Sequence, residues 1–356
     1  MPNSFSTQLL TWYEKYGRHD LPWQKNPTPY RVWISEIMLQ QTQVTTVIPY
    51  YKRFIQRFPT VNALANANTD DVLSNWSGLG YYARARNIHK TAQIIHTQFH
   101  DQFPSTVEAL CELPGIGQST AGAIISFSMQ KKAVILDGNV KRVLARYFAI
   151  KEPINQKKTI DTLWDLAKKL TPTKEAHHYN QAIMDLGATL CTRSKPRCTD
   201  CPFTKTCTAH QQNQSTFYPV KIGKKVRPIK KTRMLIITNT HQEILLLKRP
   251  SKGIWGGLWS FPELELTNDY AVFQHQNTLL KLRYHDELEK ITHQFTHFTL
   301  EIFPMILKTP RCTLPNDELM WYKLDSAFPG GIAAPVMKMI VSLQSRNTNS
   351  ATEEST

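Results

Sequence analysis

Residues 191–207 read CTRSKPRCTDCPFTKTC and contain four of the six cysteines of the chain, Cys191, Cys198, Cys201 and Cys207. Thiols this close in sequence are typical of a site for a soft metal centre, whereas a disulfide framework would spread its cysteines along the chain. Zinc ribbons usually use two C-x2-C pairs that lie far apart. Because the stretch has one such pair and is short, the spacing favours an iron–sulfur cluster, with a structural zinc ion as the alternative.

The cysteine stretch is also basic, with Arg193, Lys195, Arg197 and Lys205 between the cysteines. A loop fixed by a metal centre would hold these cations in one geometry against phosphates. The whole chain has a formal net charge of +15, which favours a nucleic-acid partner only slightly over no polyanion partner. No apolar run is long enough to cross a bilayer, so we expect no membrane association.

The pattern of the chain changes after the last of these cysteines. With 356 residues, two or three domains are expected. Residues 7–209 show mostly helical periodicity, residues 211–233 are polar and then basic, as in a linker, and strand patterns follow. The N-terminus lacks a secretory signal and the clustered cysteines suit a reducing compartment, so we expect a cytoplasmic protein.

A glycine-containing motif lies upstream of the cysteines. Leu113-Pro114-Gly115-Ile116-Gly117 predicts a tight turn between two helices. Gly115 and Gly117 permit positive φ, and backbone N–H groups at the start of the second helix can bind a DNA phosphate without reading bases. Taken alone, the motif fits an ordinary helix–helix turn better. Its position shortly before an isolated acid, Asp137, favours the DNA-binding interpretation.

Several stretches together resemble the helix-hairpin-helix, endonuclease III-like DNA glycosylases, and among them the MutY-type adenine glycosylases. They cover nearly the whole chain: Pro22-Trp23, Trp33–Thr42, Gly78–Asn87, Leu113–Gly117, Leu136–Val140 and Cys191–Cys207. The resemblance implies a mainly α N-terminal catalytic region, built from a six-helix module plus an iron–sulfur module, joined to an α+β Nudix-like C-terminal domain. It also implies that the four cysteines bind one [4Fe-4S] cluster.

The resemblance assigns the two catalytic carboxyl groups. Glu36 is expected to protonate the adenine, and Asp137 to stabilise the cationic sugar as a carboxylate. Burial and the neighbouring Trp33 should raise the pKa of Glu36, while a helix N-terminus should keep Asp137 ionised. Asn139 is expected as the N-cap of that helix and, with Ser119, as a supporting residue of the active site. The simpler interpretations are a surface glutamate and a helix-capping aspartate.

Other residues are assigned roles on DNA by the same resemblance. Gln41 and Tyr81, with Leu39 and Leu79 beside them, are expected to fill the gap left by a flipped base. Ser119 stands where strand-cleaving relatives have a lysine that forms a Schiff base. Without an amine at that position, the resemblance implies a monofunctional glycosylase that leaves an abasic site.

The C-terminal part resembles the opening of a Nudix fold at Gly256-Gly257-Leu258-Trp259. The glutamate cluster that binds metal in Nudix pyrophosphatases is missing, which disfavours a pyrophosphatase. The resemblance instead implies a domain that recognises 8-oxoguanine. Its recognition residues would be Phe295, Thr296 and His297, which align with a Phe-Ser-His element of the family.

The sequence therefore predicts a domain organisation. Residues 1–212 form the helix-hairpin-helix catalytic domain with the cluster loop at 191–207, residues 213–232 a basic linker, residues 233–345 the Nudix-like domain, and residues 346–356 a disordered tail.

The predicted function is a monofunctional adenine DNA glycosylase of base excision repair. Its partner would be duplex DNA with adenine opposite 8-oxoguanine or guanine, bound by a monomer in the cytoplasm, associated with the nucleoid if the source is a bacterium. The alternatives are a related glycosylase that excises another base, disfavoured by Ser119 and the Nudix-like domain, and a non-catalytic lesion-binding protein, disfavoured by the presence of both Glu36 and Asp137.

Overall fold

The computed structural model describes residues 2–223, 226–310, 312–314, 317–326, 328 and 330–353. The chain forms two compact units, one made of Met1–Asn66 with Asn87–Lys224 and the other of Ala67–Arg86 with Lys225–Thr356. The division between Lys224 and Lys225 lies inside the predicted linker. In addition, the segment Ala67–Arg86 groups with the C-terminal residues, which the sequence does not predict.

The N-terminal part of the chain is helical. Its α-helices are α1 (Pro2–Tyr16), α2 (Pro29–Leu39), α3 (Val44–Arg57), α4 (Val61–Ala65), α5 (Thr69–Trp76), α6 (Ala83–Phe99), α7 (Val107–Cys111), α8 (Gln118–Met129), α9 (Gly138–Tyr147), α10 (Lys157–Leu170), α11 (Ala176–Asp185) and α12 (Thr208–Gln211). The predicted hairpin is the turn between α7 and α8. Single turns of 3-10 helix lie at Pro22–Gln24 and Cys198–Asp200, and a π-helical turn lies at Leu186–Leu190.

The core of the first unit fixes the cysteine stretch to the helices. Helices α1, α9, α10 and α11 pack together around a buried apolar cluster that includes Phe203. The Phe203 ring stacks on Phe5 of α1 with 4.2 Å between ring centroids, and its edge meets Tyr147 of α9 at 5.4 Å. Because Phe203 lies between two of the cysteines, this packing attaches the stretch to helices α1 and α9.

The second unit contains a mixed β-sheet. Its strands are β1 (Ile229–Thr238), β2 (Glu243–Lys248), β3 (Trp259–Ser260), β4 (Glu263–Leu264), β5 (Val272–His275), β6 (Thr278–Lys281), β7 (Arg283–Glu287), β8 (Ile291–Gln294), β9 (Thr299–Lys308) and β10 (Leu319–Lys323), followed by α13 (Ala334–Glu353). The main sheet has the order β10-β2-β1-β9-β7, with β8 paired to β9. Strands β1 and β9 run parallel, from Ile229 opposite Thr299 to Thr238 opposite Lys308.

Two elements differ from their sequence-based predictions. Periodicity suggests one strand from Phe295 to Ile306, whereas the structure has a turn over Phe295–Phe298 between β8 and β9, closed by a bond from Phe295 N–H to the Phe298 carbonyl at 2.9 Å. Helix α13 continues past Leu343 to Glu353, where a disordered tail is expected. No glycine or proline interrupts this stretch, so neither of the two strongest helix breakers is present there. Residues 354–356 lie outside the described residues.

Within the described part of the chain, no helix has the length and apolar character needed to cross a membrane.

Candidate active site and DNA-binding elements

Glu36 lies on α2 and faces a cavity in the first unit. The start of the helix is fixed at Pro29, because the Thr28 hydroxyl accepts a hydrogen bond from Arg31 N–H at 3.3 Å and proline suits the first helical position. The cavity has a volume of about 300 Å³, and its lining includes Glu36, Trp23, His177, His178 and Gln181. Glu36 keeps part of its accessible surface on this cavity, while its flanking residues Ser35 and Ile37 are buried.

The environment of Glu36 favours its protonated form. Burial, the larger cause, together with the negative charge of Asp137, raises the pKa of Glu36 from an ordinary 4.5 to about 8. At neutral pH the group is therefore mostly a carboxylic acid that can donate a proton. The sequence predicts the direction of this pKa shift, but the contribution of Asp137 requires the tertiary structure.

Asp137 is the N-cap of α9, with its carboxylate fixed by two hydrogen bonds. Its Oδ1 accepts from Val140 N–H at 2.7 Å, and its Oδ2 accepts from the Asn139 side-chain amide at 2.9 Å. Burial raises the pKa of Asp137, and the bonds from Val140 and Asn139 oppose that shift. The prediction that Asn139 caps the helix is wrong, because the cap is Asp137 itself. Asn139 instead orients the carboxylate.

A chain of hydrogen bonds continues from Asn139 to the cysteine stretch. Arg142 donates to the Asn139 side-chain oxygen at 2.7 Å, to the Gly187 carbonyl at 2.7 Å and to the Cys191 carbonyl at 2.8 Å. A side chain on Gly187 would place its Cβ 2.6 Å from the Cβ of Asn139. The approach of the two segments therefore requires glycine at position 187.

Arg146, one turn further along α9, fixes the start of the cysteine stretch. It is 2% exposed and donates to the carbonyls of Cys191 at 3.1 Å, Thr192 at 2.7 Å and Arg193 at 3.0 Å. Five donors in a rigid guanidinium suit this task better than the single ammonium of a lysine. Neither Arg142 nor Arg146 was predicted from the sequence. The signal in the sequence was an arginine pair, four residues apart, on the helix that follows Asp137.

The four predicted metal-ligating cysteines line a single pocket. Burial raises the pKa of the Cys201 thiol to about 12 and also raises that of Cys207. Among the described residues, no three Cys, His, Asp or Glu side chains are close enough to hold a metal ion between them.

The hairpin presents an exposed turn in front of α8. Gly115 has a φ of +80°, and a Cβ there would lie 2.9 Å from the Cβ of Asn87, so glycine is required on both grounds. Gly117 is the N-cap of α8, and both glycines are exposed. Ser119 has a structural contact that the sequence did not reveal, because its hydroxyl accepts from Leu136 N–H at 3.1 Å and so positions the residue before Asp137.

The predicted wedge residues fall in both compact units. Leu39 ends α2, and Gln41 follows it with a left-handed backbone, at a φ of +57°. Leu79 and Tyr81 belong to the second unit. Tyr81 is 51% exposed, whereas Leu79 is 6% exposed, so Tyr81 rather than Leu79 presents its side chain to solvent there.

The predicted recognition residues lie at the turn between β8 and β9. Thr296 and His297 are exposed at its tip, and the hydroxyl groups of Thr296 and Tyr81 are 3.5 Å apart. Phe295 packs at the base of the turn, with ring-centroid distances of 4.6 Å to Phe298 and 5.2 Å to Trp255. The second unit thus joins a predicted wedge residue to a predicted recognition residue.

Comparison with protein families identifies both parts of the chain. Residues 34–169 match the HhH-GPD superfamily of base excision DNA repair proteins, and residues 233–342 match a NUDIX domain. An adenine DNA glycosylase of Buchnera aphidicola subsp. Baizongia pistaciae is 41% identical over 97% of this chain and 98% of its own. The chain belongs to the adenine DNA glycosylase family. The human adenine DNA glycosylase is 31% identical over 88% of this chain and 69% of its own length.

Solved structures agree with the fold of this family member. A thermostable thymine-DNA glycosylase superposes with a TM-score of 0.55 at 27% identity, covering 59% of this chain and 97% of its own. A non-covalent endonuclease III–DNA complex superposes with a TM-score of 0.51 at 18% identity, covering 59% of this chain and 95% of its own, which bears on the fold alone. Together with the two family matches, these structures confirm the predicted fold class, and the adenine DNA glycosylase relatives confirm the predicted adenine DNA glycosylase.

Proposed function

We propose that this adenine DNA glycosylase removes adenine opposite 8-oxoguanine or guanine from duplex DNA and leaves the strand intact. The observation that carries the proposal is the pairing of Glu36, whose pKa is raised to about 8, with the N-capping carboxylate of Asp137. Two carboxyl groups in different environments are the arrangement that acid-assisted cleavage of a glycosidic bond requires.

Glu36 acts as the general acid. Adenine leaves poorly until a ring nitrogen is protonated, and Glu36 holds its proton at neutral pH beside a cavity of about 300 Å³. Extrusion of the base from the duplex costs a few kcal/mol, so contacts in this cavity must offset that cost. Aromatic and imidazole side chains such as Trp23 and His177 supply stacking surfaces there.

Asp137 stabilises the positive charge that the sugar gains as the base departs. Hydrogen bonds from Val140 N–H and the Asn139 amide favour its carboxylate form, and the developing cation favours that form further. Since the carboxylate accepts both bonds in the resting protein, it needs no rearrangement at the moment of bond cleavage. Water then attacks the cationic sugar and leaves an abasic site.

The enzyme is monofunctional in this proposal. Strand cleavage through a Schiff base needs an amine near the sugar, and position 119 holds a serine whose hydroxyl is bonded to Leu136 N–H. Product DNA should therefore remain uncut until it is treated with alkali.

We further propose that the four cysteines hold one [4Fe-4S] cluster. When bound, the cluster would supply a rigid anchor for the loop that carries Arg193, Lys195, Arg197 and Lys205, whose cationic side chains suit contacts with phosphates. The carbonyl bonds from Arg142 and Arg146 join this loop to the helix capped by Asp137. Purified protein should be brown with iron and sulfide in equal amounts, and zinc in their place would refute the assignment.

The C-terminal unit recognises the base opposite the adenine in this proposal. Thr296 and His297 are exposed at the tip of the turn, and Tyr81 lies beside Thr296. The predicted division, with a catalytic domain over residues 1–212 and a recognition domain over residues 233–345 acting as a monomer on cellular DNA, is part of the same proposal.

Base release from three labelled duplexes tests the function. They carry adenine opposite 8-oxoguanine, adenine opposite guanine, and thymine opposite guanine, and are assayed under single turnover with alkali treatment. We expect release of adenine, fastest opposite 8-oxoguanine, and none of thymine. Thymine release, or equal rates on the two adenine mispairs, would contradict the proposal.

A further inference from the structure

The segment Ala67–Arg86 lies within the residues that match the HhH-GPD superfamily, but it packs with the C-terminal residues in the second unit. Its helix α5 packs against the glycine pair that precedes α13. A Cβ on Gly331 would lie 2.8 Å from the Cβ of Leu73, and one on Gly330 would lie 3.4 Å from the Cβ of Asp70. At these distances α5 is in direct van der Waals contact with the C-terminal residues, and larger side chains at positions 330 and 331 would collide with it.

Three polar contacts attach the segment at points before and after Tyr81. Before it, Lys248 of β2 forms an ion pair with Asp70 at 2.8 Å. After it, the Tyr82 hydroxyl donates to the buried Ile332 carbonyl at 3.1 Å, and Arg86 donates to the Gly256 carbonyl at 2.6 Å.

The turn between these contacts has three residues with positive φ. Gly78, Gly80 and Tyr81 have φ values of +93°, +75° and +49°, and Tyr81 is a non-glycine residue in the left-handed region, which is held only when its surroundings determine it. Within the turn, Arg84 donates to the Gly80 carbonyl at 3.1 Å and lies 5.5 Å from the centre of the Tyr81 ring.

We propose that Lys248 is a positioning residue for recognition of the base opposite the adenine. Its ion pair with Asp70 holds the Gly78–Tyr81 turn on the C-terminal unit, so that the exposed Tyr81 ring stays beside Thr296. Lys248 and Asp70 are only 34% and 21% exposed, so water screens this pair less than a surface ion pair. Lys248 touches neither the adenine nor its partner base, and acts through the turn.

The inference rests on the proposed function, because it assumes that Tyr81 and Thr296 together contact the opposite base. It adds that selectivity depends on contacts remote from that base. Loss of the ion pair should loosen the turn and weaken only those interactions that require Tyr81 and Thr296 to lie side by side.

The test uses Lys248→Met in the full-length protein. Lys248→Arg is the conservative rescue and Lys323→Met the matched control, because Lys323 is an exposed lysine of the neighbouring strand β10, paired with Asp325 at 3.4 Å. The readout is the ratio of single-turnover rates for adenine opposite 8-oxoguanine and opposite guanine. Melting temperature is measured alongside, and Asp70→Asn serves as a second variant if Lys248→Met fails to fold.

We expect Lys248→Met to lower this ratio about five- to tenfold, which is less than the full contribution of a charged hydrogen bond because the pair is partly exposed, while the rate opposite guanine stays within about twofold. Lys248→Arg should retain the ratio, and Lys323→Met should not change it. An unchanged ratio in Lys248→Met, or an equal fall of both rates, would overturn the inference.

Thr296→Val, measured in parallel, separates the two proposals. If Thr296→Val lowers the ratio and Lys248→Met does not, recognition by the turn stands and the positioning role is wrong. If Thr296→Val leaves the ratio unchanged, the recognition proposal fails at its own residue, and the positioning role of Lys248 fails with it.

Discussion

The side-chain amide of Asn139 donates to Asp137 Oδ2 at 2.9 Å, while its oxygen accepts from Arg142 at 2.7 Å. Asn139 thus fixes the Asp137 carboxylate through its amide N–H and is itself held by Arg142 through its amide oxygen. Arg142 also binds the Cys191 carbonyl at 2.8 Å, so a short polar path joins the proposed cluster loop to Asp137.

Removal of this bond should slow base release without preventing DNA binding. Hydrogen bonds to charged groups contribute about 1.5–3 kcal/mol, so Asn139→Ala should lower the single-turnover rate roughly ten- to a hundredfold. Asn62→Ala, in an exposed residue of α4, is the control. Duplex affinity measured by fluorescence anisotropy should change little in either variant. A normal rate in Asn139→Ala would show that the bond does not orient the carboxylate.

Asp137 should show separable roles in catalysis and in stability. Asparagine is a good N-cap, so Asp137→Asn should retain the melting temperature while base release falls below detection. Asp137→Ala should lose activity and also about 1 kcal/mol of unfolding free energy. Chemical denaturation and the glycosylase assay distinguish the two effects. If the Asp137→Asn enzyme were active, Asp137 would serve only as a helix cap.

Ser119 should matter for structure and also report on strand cleavage. Ser119→Ala leaves Leu136 N–H without its side-chain acceptor and should cost about 1–3 kcal/mol. The wild-type protein should give no covalent DNA complex on borohydride treatment, because position 119 carries no amine. Ser119→Lys introduces an amine at that position. Robust trapping with the wild-type protein would contradict the monofunctional assignment.

Glu36 should make the protein less stable as pH rises. Its pKa is raised in the folded state, from 4.5 to about 8, so between these values the folded state binds more protons than the unfolded state. The contribution of protonated Glu36 to stability is therefore fully present below the lower value and is lost as pH rises towards 8. Glu36→Gln should remove this dependence, so its melting temperature relative to wild type should increase from pH 5 to pH 8. If the melting temperatures of the two proteins changed equally with pH, the pKa of Glu36 would not be raised in the folded state.

The sequence predicts the fold class well because it depends on local patterns. Helical periodicity, the glycine hairpin and the cysteine spacing each fall in one short stretch, and the family resemblance supplies Glu36. What it misses is non-local. The close approach of Gly187 to Asn139, the burial of Arg146 against three carbonyls of the cysteine stretch and the packing of Ala67–Arg86 with the C-terminal unit all join residues far apart in the chain.

The assignment of the helix cap shows a different limit. Asn139 and Asp137 are both good capping residues and lie two positions apart, so the pattern alone cannot choose between them. The choice follows from backbone geometry, since Asp137 has the extended conformation of a cap and Gly138 begins the helix.

The pH dependence of adenine release tests the central claim most directly. Single-turnover rates on a duplex with adenine opposite 8-oxoguanine would be measured from pH 6 to pH 10. If protonated Glu36 is the acid, the rate should be constant below its pKa of about 8 and fall about tenfold per pH unit above it, with Glu36→Gln inactive throughout. A rate that stays constant to pH 10, or a Glu36→Gln enzyme with wild-type activity, would contradict the account.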